Sequence, residues 1–214
     1  MASTEGRAFN GLMGGAHYNR WARVMGMGPE FYRKALGGVQ LGARMRALDL
    51  GCGTGSLSLA LAAQSHPDAR VCGIDISDDQ LTQARRDAST SPCKVEFEHA
   101  SMAGLPFPER HFDVVMTCMA LHETPPGVRR SAIAEAARVL KNDGIFLLVD
   151  WGKPRLGGWG LLWLPLVLPF AINRDNWHNA YAQLCRERGL EREENGYVNS
   201  IARRQAFRKA AASP

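Results

Sequence analysis

The stretch that most constrains this 214-residue chain is Ala47-Leu48-Asp49-Leu50-Gly51-Cys52-Gly53-Thr54-Gly55. An apolar run meets an acid, breaks into three glycines at alternate positions and continues into Ser56-Leu57-Ser58-Leu59-Ala60-Leu61-Ala62-Ala63, which reads as a helix. Strand, glycine loop and helix in that order let backbone N–H groups approach a ligand closely. Glycine is required because a Cβ would block both the positive-φ turn and the approach. A nicotinamide or flavin site would have the same outline, but its fingerprint is G-x-G-x-x-G. Here the glycines fall as G-x-G-x-G, and Ser56 holds the place of the third fingerprint glycine. The spacing favours a different ligand.

From residue 46 onward, strand-like and helix-like segments alternate. Strands are expected at 46–50, 69–75, 93–98, 112–117 and 145–150. Helices are expected at 56–63, after Ser77 and at 127–140, with Ser77 as N-cap and Gln80 at N3 in capping-box style. Asn142-Asp143-Gly144 reads as the turn into the fifth strand. This spacing implies βαβ crossovers and a parallel sheet. In such sheets ligands bind beyond the carboxyl ends of the strands, where the strand order reverses. Gly51–Gly55, Asp75, Ser101, Thr117 to His122 and Asp150 all follow strands, so one rim should collect them. The leader, 1–45, is expected to form a helical flap with helices near 18–25 and 29–36. Tyr18 and Trp21 would share a helix face; they either dock the flap on the core or place Tyr18 over a bound ligand. A helix over 175–188 and two strands near 190–198 and 201–209 should close the chain as an antiparallel pair.

Composition narrows the class of partner. The formal charge of +5 is mild, and the arginines of the last thirty residues alternate with Glu187, Glu191, Glu193 and Glu194. That pattern suits a solvated face better than a nucleic-acid footprint, so no nucleic-acid partner is expected. Five widely spaced cysteines without a C-x-x-C pair argue for reduced thiols and against a zinc site. The first residues lack the basic start and apolar run of a signal peptide, and a cytoplasmic protein is expected. Residues 156–172 are uncharged but carry Pro165, Pro169 and three glycines. The run is shorter than the ~20 apolar residues of a spanning helix. It is read as an insertion closing over an apolar substrate pocket, with a homodimer interface or peripheral membrane contact as the alternatives.

Asp75 lies 24 residues after Gly51 at the end of the second strand. A carboxylate there can accept hydrogen bonds from both ribose hydroxyls, which indicates an adenosine-type cofactor. Several motifs then fall in one order: the glycine loop, Gly73-Ile74-Asp75-Ile76-Ser77, Leu105-Pro106-Phe107, Phe112-Asp113-Val114-Val115 and Ala137-Arg138-Val139-Leu140-Lys141-Asn142-Asp143-Gly144. As an ordered set spanning residues 46–151, they resemble the class I S-adenosylmethionine (SAM) methyltransferases. The similarity is to the ubiquinone/menaquinone-biosynthesis and related small-molecule branch.

The resemblance implies an α/β, Rossmann-like, doubly wound seven-stranded sheet, mostly parallel with an antiparallel C-terminal strand. It also implies a single methyltransferase domain over 1–214, with the flap at 1–45, the SAM-binding core at 46–151, the lid at 152–174 and the closing helix and strands at 175–214. Gly51, Cys52 and Gly53 would line the methionine moiety, with Asp49 supporting the loop or the amino group. Asp75 would hold the ribose, Ile76 would pack on the adenine, and Ser101 and Met102 would flank its edge. Serine stands at 101 where the family usually has aspartate, which implies a weaker or water-mediated contact there. Thr117 is expected as a further cofactor contact.

Methyl transfer from a sulfonium needs alignment and exclusion of water more than covalent help. A general base is needed only if the acceptor must lose a proton. His122 is the candidate base on the rim, with Tyr18 a second candidate and Glu123 and Asp150 behind them. The expected function is SAM-dependent methylation of a small apolar acceptor such as a quinone precursor or lipid, leaving S-adenosylhomocysteine. The alternative is a non-catalytic SAM-binding or nucleotide-binding partner subunit. An RNA methyltransferase or a nicotinamide oxidoreductase is a weaker reading.

Overall fold

Seven strands form one sheet in the order β3-β2-β1-β4-β5-β7-β6. They are β1 Arg46–Leu50, β2 Arg70–Asp75, β3 Lys94–His99, β4 Phe112–Cys118, β5 Leu140–Trp151, β6 Leu190–Tyr197 and β7 Ala202–Lys209. β7 runs antiparallel to both β5 and β6, and every other described pairing is parallel. The order reverses between β1 and β4, so the rim above those two strands is the switch point where a doubly wound sheet opens a crevice. This is the expected architecture, and the C-terminal pair falls within a residue of its expected limits. The computed structural model describes residues 6, 8, 15–24, 26–155 and 177–210; the side chains of residues 16–18 and 21 are outside that description.

Strand alternation divides the interior into two cores. Ala47, Val114, Met116, Leu147 and Val149 face one side of the sheet, where they meet Phe31 and Leu36 of α2 (Pro29–Leu36) and Leu57 and Leu61 of α3 (Ser56–Ala63). Leu48, Leu50, Val115, Phe146 and Leu148 face the other. There they meet Ile133 and Ala136 of α5 (Pro126–Val139) and Tyr181 and Cys185 of α6 (Ala180–Arg186). Both faces are covered, so the central strands read as nearly unbroken apolar runs. α1 (Gly15–Val24) and α4 (Asp78–Asp87) complete the helices.

Two local features differ from the sequence expectation. The turn at residues 142–144 lies inside β5 as a bulge: Phe112 pairs with Leu140 but Val114 with Ile145, and Asp143 takes φ 59°. β5 therefore begins at Leu140, five residues before the expected start. In the capping box, Ser77 accepts the Gln80 N–H as anticipated, but the Ser77 N–H donates to Asp75 Oδ1. The Gln80 side chain instead accepts the Gly15 N–H at 3.2 Å, which fastens the start of α1 to α4.

The C-terminal arginines are consumed within the fold. Arg208 pairs with Glu193, and Arg204 with Glu194. Buried Arg204 also donates from Nε to Ala35 O at 2.8 Å and from a terminal nitrogen to Leu36 O, satisfying the last carbonyls of α2. Two pairs of the Arg/Glu alternation thus resolve into ion pairs, and Arg204 ties α2 to β7. The expected lid at 152–174 falls almost entirely on residues outside the described set, as does the start of the helix expected over 175–188.

Candidate cofactor and acceptor cleft

The three loop glycines occupy the left-handed region, Gly51 at φ 67°, Gly53 at φ 54° and Gly55 at φ 78°. A Cβ on Gly51 would stand 2.6 Å from Ala120 Cβ and 2.9 Å from Met102 Cε, whereas one on Gly53 would meet nothing within 4 Å. Gly51 is required by packing, as is Gly55, where a Cβ would stand 2.6 Å from Phe97 Cζ. Gly53 opens onto empty space.

That space is a solvent-open cleft at the carboxyl ends of β1, β2 and β4. Asp49, Gly51, Cys52, Gly53, Asp75, Ile76, Ser101 and Met102 all line it, so the structure brings together eight of the nine residues expected at the cofactor.

The two aspartates hold the loop in shape. Asp75 Oδ2 accepts the Gly53 N–H at 2.8 Å, and its Oδ1 accepts the Ser77 N–H at 2.9 Å. With the Ile76 N–H also turned to this carboxylate, about one of its four lone-pair sites is left for a ribose hydroxyl. Burial raises the Asp75 pKa, against the opposing pull of the Gly53, Ser77 and Ile76 N–H groups. Asp49 is 1% exposed and accepts Ser58 Oγ–H at 2.7 Å. Burial, with the Asp75 charge adding to it, pushes the Asp49 carboxyl up to about 7 despite the Ser58 hydrogen bonds. Two carboxylates that resist ionisation in one cleft suit a ligand that brings positive charge and hydroxyl donors.

Thr117 is the exception. It is 1% exposed, and its hydroxyl donates to Leu50 O at 2.9 Å, bonding β4 to β1. The reason is parity: Val114, Met116 and Cys118 share the face of Asp49, while Thr117 points with Val115 into the α5 core. Cys118, Met119 and Ala120 supply the β4 side of the cleft instead. Burial pushes the Cys52 and Cys118 thiols well above their ordinary range, with nearby aspartate charges adding, so neither is a thiolate at neutral pH.

His122 is not among the cleft's described lining residues. Its Nδ1 lies 2.7 Å from Asp150 Oδ1, its backbone N–H donates to Asp150 Oδ2 at 3.0 Å, and its Nε2 lies 3.3 Å from Glu123 Oε1. Burial alone would lower its pKa, but the charges and hydrogen bonds of Asp150 and Glu123 raise it to about 9. An imidazole held as the cation at neutral pH has no lone pair with which to act as a base. Tyr18 lies in α1, but its side chain is outside the description.

Several lining residues were not foreseen from the sequence. Met27 and Tyr32 come from the α2 region, Gly6 from the leader, Gln80 from α4, and Met119 and Thr124 from the segment after β4. Thr54, beside the loop glycines, donates its hydroxyl to Asn19 Oδ1 and thereby holds α1 at the mouth. The sequence indicated a flap helix at 29–36, but nothing in its spacing placed Tyr32 at a ligand. Among the described residues no group of three or more His, Cys, Asp and Glu could hold a metal ion, and no helix is long and apolar enough to cross a membrane.

A strand order of 3-2-1-4-5-7-6 with a glycine loop after β1 and an acid at the end of β2 makes a Rossmann-like doubly wound sheet with its cleft at the switch point. Residues 47–144 match the family described as "Methyltransferase domain". That match spans 98 of the 214 residues, a little under half of the chain, and it takes in the glycine loop, Asp75 and the start of β5.

The demethylmenaquinone methyltransferase of Symbiobacterium thermophilum is 33% identical over 142 residues, 64% of this chain and 56% of that protein. The chain thus spans little more than half the length of this relative. Two solved structures share the fold. A chain from the complex of the Haloferax volcanii Trm112 methyltransferase activator superposes with a TM-score of 0.70 at 18% identity, covering 92% of this chain and 97% of that one. Geranyl diphosphate C-methyltransferase of Streptomyces coelicolor A3(2), solved with Mg2+, geranyl diphosphate and S-adenosyl-L-homocysteine, gives 0.65 at 16% identity, covering 91% and 82%.

Proposed function

We propose that this protein transfers a methyl group from SAM to a small apolar acceptor, a quinol-type ring in the first instance. The observation that carries the reading is a single cleft with two kinds of lining. The glycine loop, Asp49, Asp75, Ile76, Ser101 and Met102 suit an adenosyl sulfonium. Met27, Tyr32, Leu57 and Met119 are left over for an apolar partner. The relative named for demethylmenaquinone supports a ring-bearing acceptor.

When bound, SAM supplies an already activated methyl on sulfur. The chain's own residues then bind, orient and dehydrate. Gly51 and Gly53 would bring the backbone against the ligand, Asp75 would receive a ribose hydroxyl, and Asp49 would meet the positively charged end. Such positioning is where most of the rate enhancement in this chemistry arises. Ser101 Oγ accepts the Ala103 N–H at 3.3 Å, so it closes its own loop while facing the cleft.

Calorimetry with SAM, S-adenosylhomocysteine and NAD tests the cofactor half. Both adenosyl ligands should bind, NAD should not, and Asp75→Ala should weaken binding at least tenfold. Undiminished affinity in Asp75→Ala would sink the assignment. Transfer of labelled methyl to a reduced short-chain naphthoquinone tests the acceptor half. Tight SAM binding without turnover on any acceptor would favour a non-catalytic partner subunit.

A further inference from the structure

Three charged side chains stand in a row where β4 and β5 end: Asp150, His122 and Glu123. Of these, Glu123 lines the cleft. The backbone is shaped to put it there. The chain leaves β4 at Cys118, turns through Met119 at φ 55° and makes one tight turn over Leu121–Glu123. Positive φ at a non-glycine residue carries a cost on the order of 1 kcal/mol or more. It is held by the Met119 N–H donating to Val149 O at 2.8 Å. Asp150 then grips His122 twice, at the backbone N–H and at Nδ1, and accepts the Trp151 N–H at 2.7 Å as well. The Trp151 ring meets the imidazole edge-on at 5.6 Å. His122 has little freedom left. Its Nε2, 3.3 Å from Glu123 Oε1, fixes the glutamate in turn.

The other two carboxylates of the cleft, Asp49 and Asp75, are committed to the glycine loop through Ser58, Gly53 and Ser77. Glu123 is therefore the lining acid that the cofactor half leaves unassigned. The same cleft is lined by Met27 and Met119, which the cofactor half does not use. Thioether sulfurs pack favourably on aromatic rings and adapt to their shape.

Resting on the methyl-transfer reading above, we propose that Glu123 is the catalytic base, taking the proton of a hydroxyl on an aromatic acceptor, with His122 and Asp150 as positioning residues. The acceptor class is a phenol or hydroquinone. The O–H bond breaks and its proton passes to the Glu123 carboxylate. The electron pair left on oxygen, shared with the ring, forms the bond to the methyl group. The S–CH3 bond breaks with its pair remaining on sulfur as the thioether. If a ring carbon takes the methyl, the hydrogen on that carbon leaves as a proton to water and Glu123 returns its own proton to the oxygen. Charge and atoms balance without a further reactant. Asp150 and His122 keep the glutamate aimed while their charges offset one another.

The test uses the full chain saturated with S-adenosylhomocysteine, with 1-naphthol and 1-methoxynaphthalene as paired probes followed by calorimetry. A hydrogen bond to a charged group contributes about 1.5–3 kcal/mol, so the wild type should prefer the naphthol by roughly 10- to 100-fold. Glu123→Ala should reduce that preference to about twofold while its affinity for S-adenosylhomocysteine stays unchanged, which also shows that the variant is folded. In turnover with 1,4-naphthohydroquinone, Glu123→Gln should keep KM within a few-fold. Its kcat should fall by on the order of 10²–10⁴, and Glu123→Asp should recover part of it. A wild type that binds S-adenosylhomocysteine but does not distinguish the two probes overturns the proposal, as does a Glu123→Ala variant with full preference and kcat. Failure of the wild type to bind S-adenosylhomocysteine refutes the methyltransferase reading itself.

Discussion

On the proposed methyltransferase reading, the raised pKa of Asp49 makes SAM affinity depend on pH. Free protein holds the carboxyl at about 7, chiefly because Asp49 is buried and then because Asp75 stands near it. Below that value the group is protonated; above it, it is ionised. A ligand that brings positive charge favours the ionised form, so affinity must rise with pH up to about 7 and then level off. An opposite charge within about 4–6 Å lowers a carboxylate by roughly 1–3 units. A two-unit lowering in the complex would hold the bound group ionised down to about pH 5. Across the whole transition the apparent affinity should then change about 100-fold, or about 2.7 kcal/mol at 1.36 kcal/mol per unit, with about 25-fold of it falling between pH 7 and 5.

Calorimetry between pH 5 and 8.5, in paired buffers of different ionisation enthalpy, reads both the affinity and the proton. Near pH 6, close to one proton should be released per SAM bound. S-adenosylhomocysteine, which lacks the sulfonium charge, should show a shallower slope. Asp49→Asn should bind less tightly at pH 8 and lose most of the dependence. A dissociation constant that stays flat from pH 8 to 5 with no proton release would refute the reasoning. An unchanged slope in Asp49→Asn would move the titration to Asp75, whose pKa burial also raises.

Three further outcomes follow from the same geometry. Gly51→Ala forces a Cβ to 2.6 Å from Ala120 Cβ at a φ of 67°; it should cost about 2–3 kcal/mol, lower Tm by roughly 5–10 °C and abolish the thermal shift given by S-adenosylhomocysteine. His122 has its folded pKa raised to about 9 from 6.5, so its contribution is full below pH 6.5 and is lost as pH rises through 9. That difference corresponds to about 3 kcal/mol, and urea midpoints at pH 7 and pH 10 should separate accordingly, with most of the separation gone in Asp150→Asn. Thr117→Val removes the hydroxyl that donates to Leu50 O and should cost about 1 kcal/mol; S-adenosylhomocysteine affinity should stay within twofold, since Thr117 bridges strands outside the cleft lining.

The cofactor half of the cleft was legible in the sequence because it depends on backbone geometry written at fixed spacing. Gly51, Gly53 and Gly55 each sit at positive φ, and Asp75 reaches Gly53 because β1 and β2 pair in register, Asp49 beside Gly73 and Leu50 beside Ile74. Such constraints act over a few residues and leave a residue-type signature. Thr117 was misjudged because one residue of register decides which face of β4 is presented, and the neighbouring apolar residues do not reveal which face is which. The acceptor half had no comparable signature. Met27 and Tyr32 approach from α2, which is held in place by Arg204 from the far end of the chain. Glu123 is aimed by Asp150, 27 residues later in sequence, acting through His122. His122 itself was placed on the correct rim, but its partners determine its charge, and those partners are tertiary. The Met27, Tyr32 and Glu123 end of the cleft therefore rests on long-range contacts that can change without disturbing the glycine loop, which is why the loop's spacing points to a nucleoside-bearing ligand and says nothing about what lies beside it.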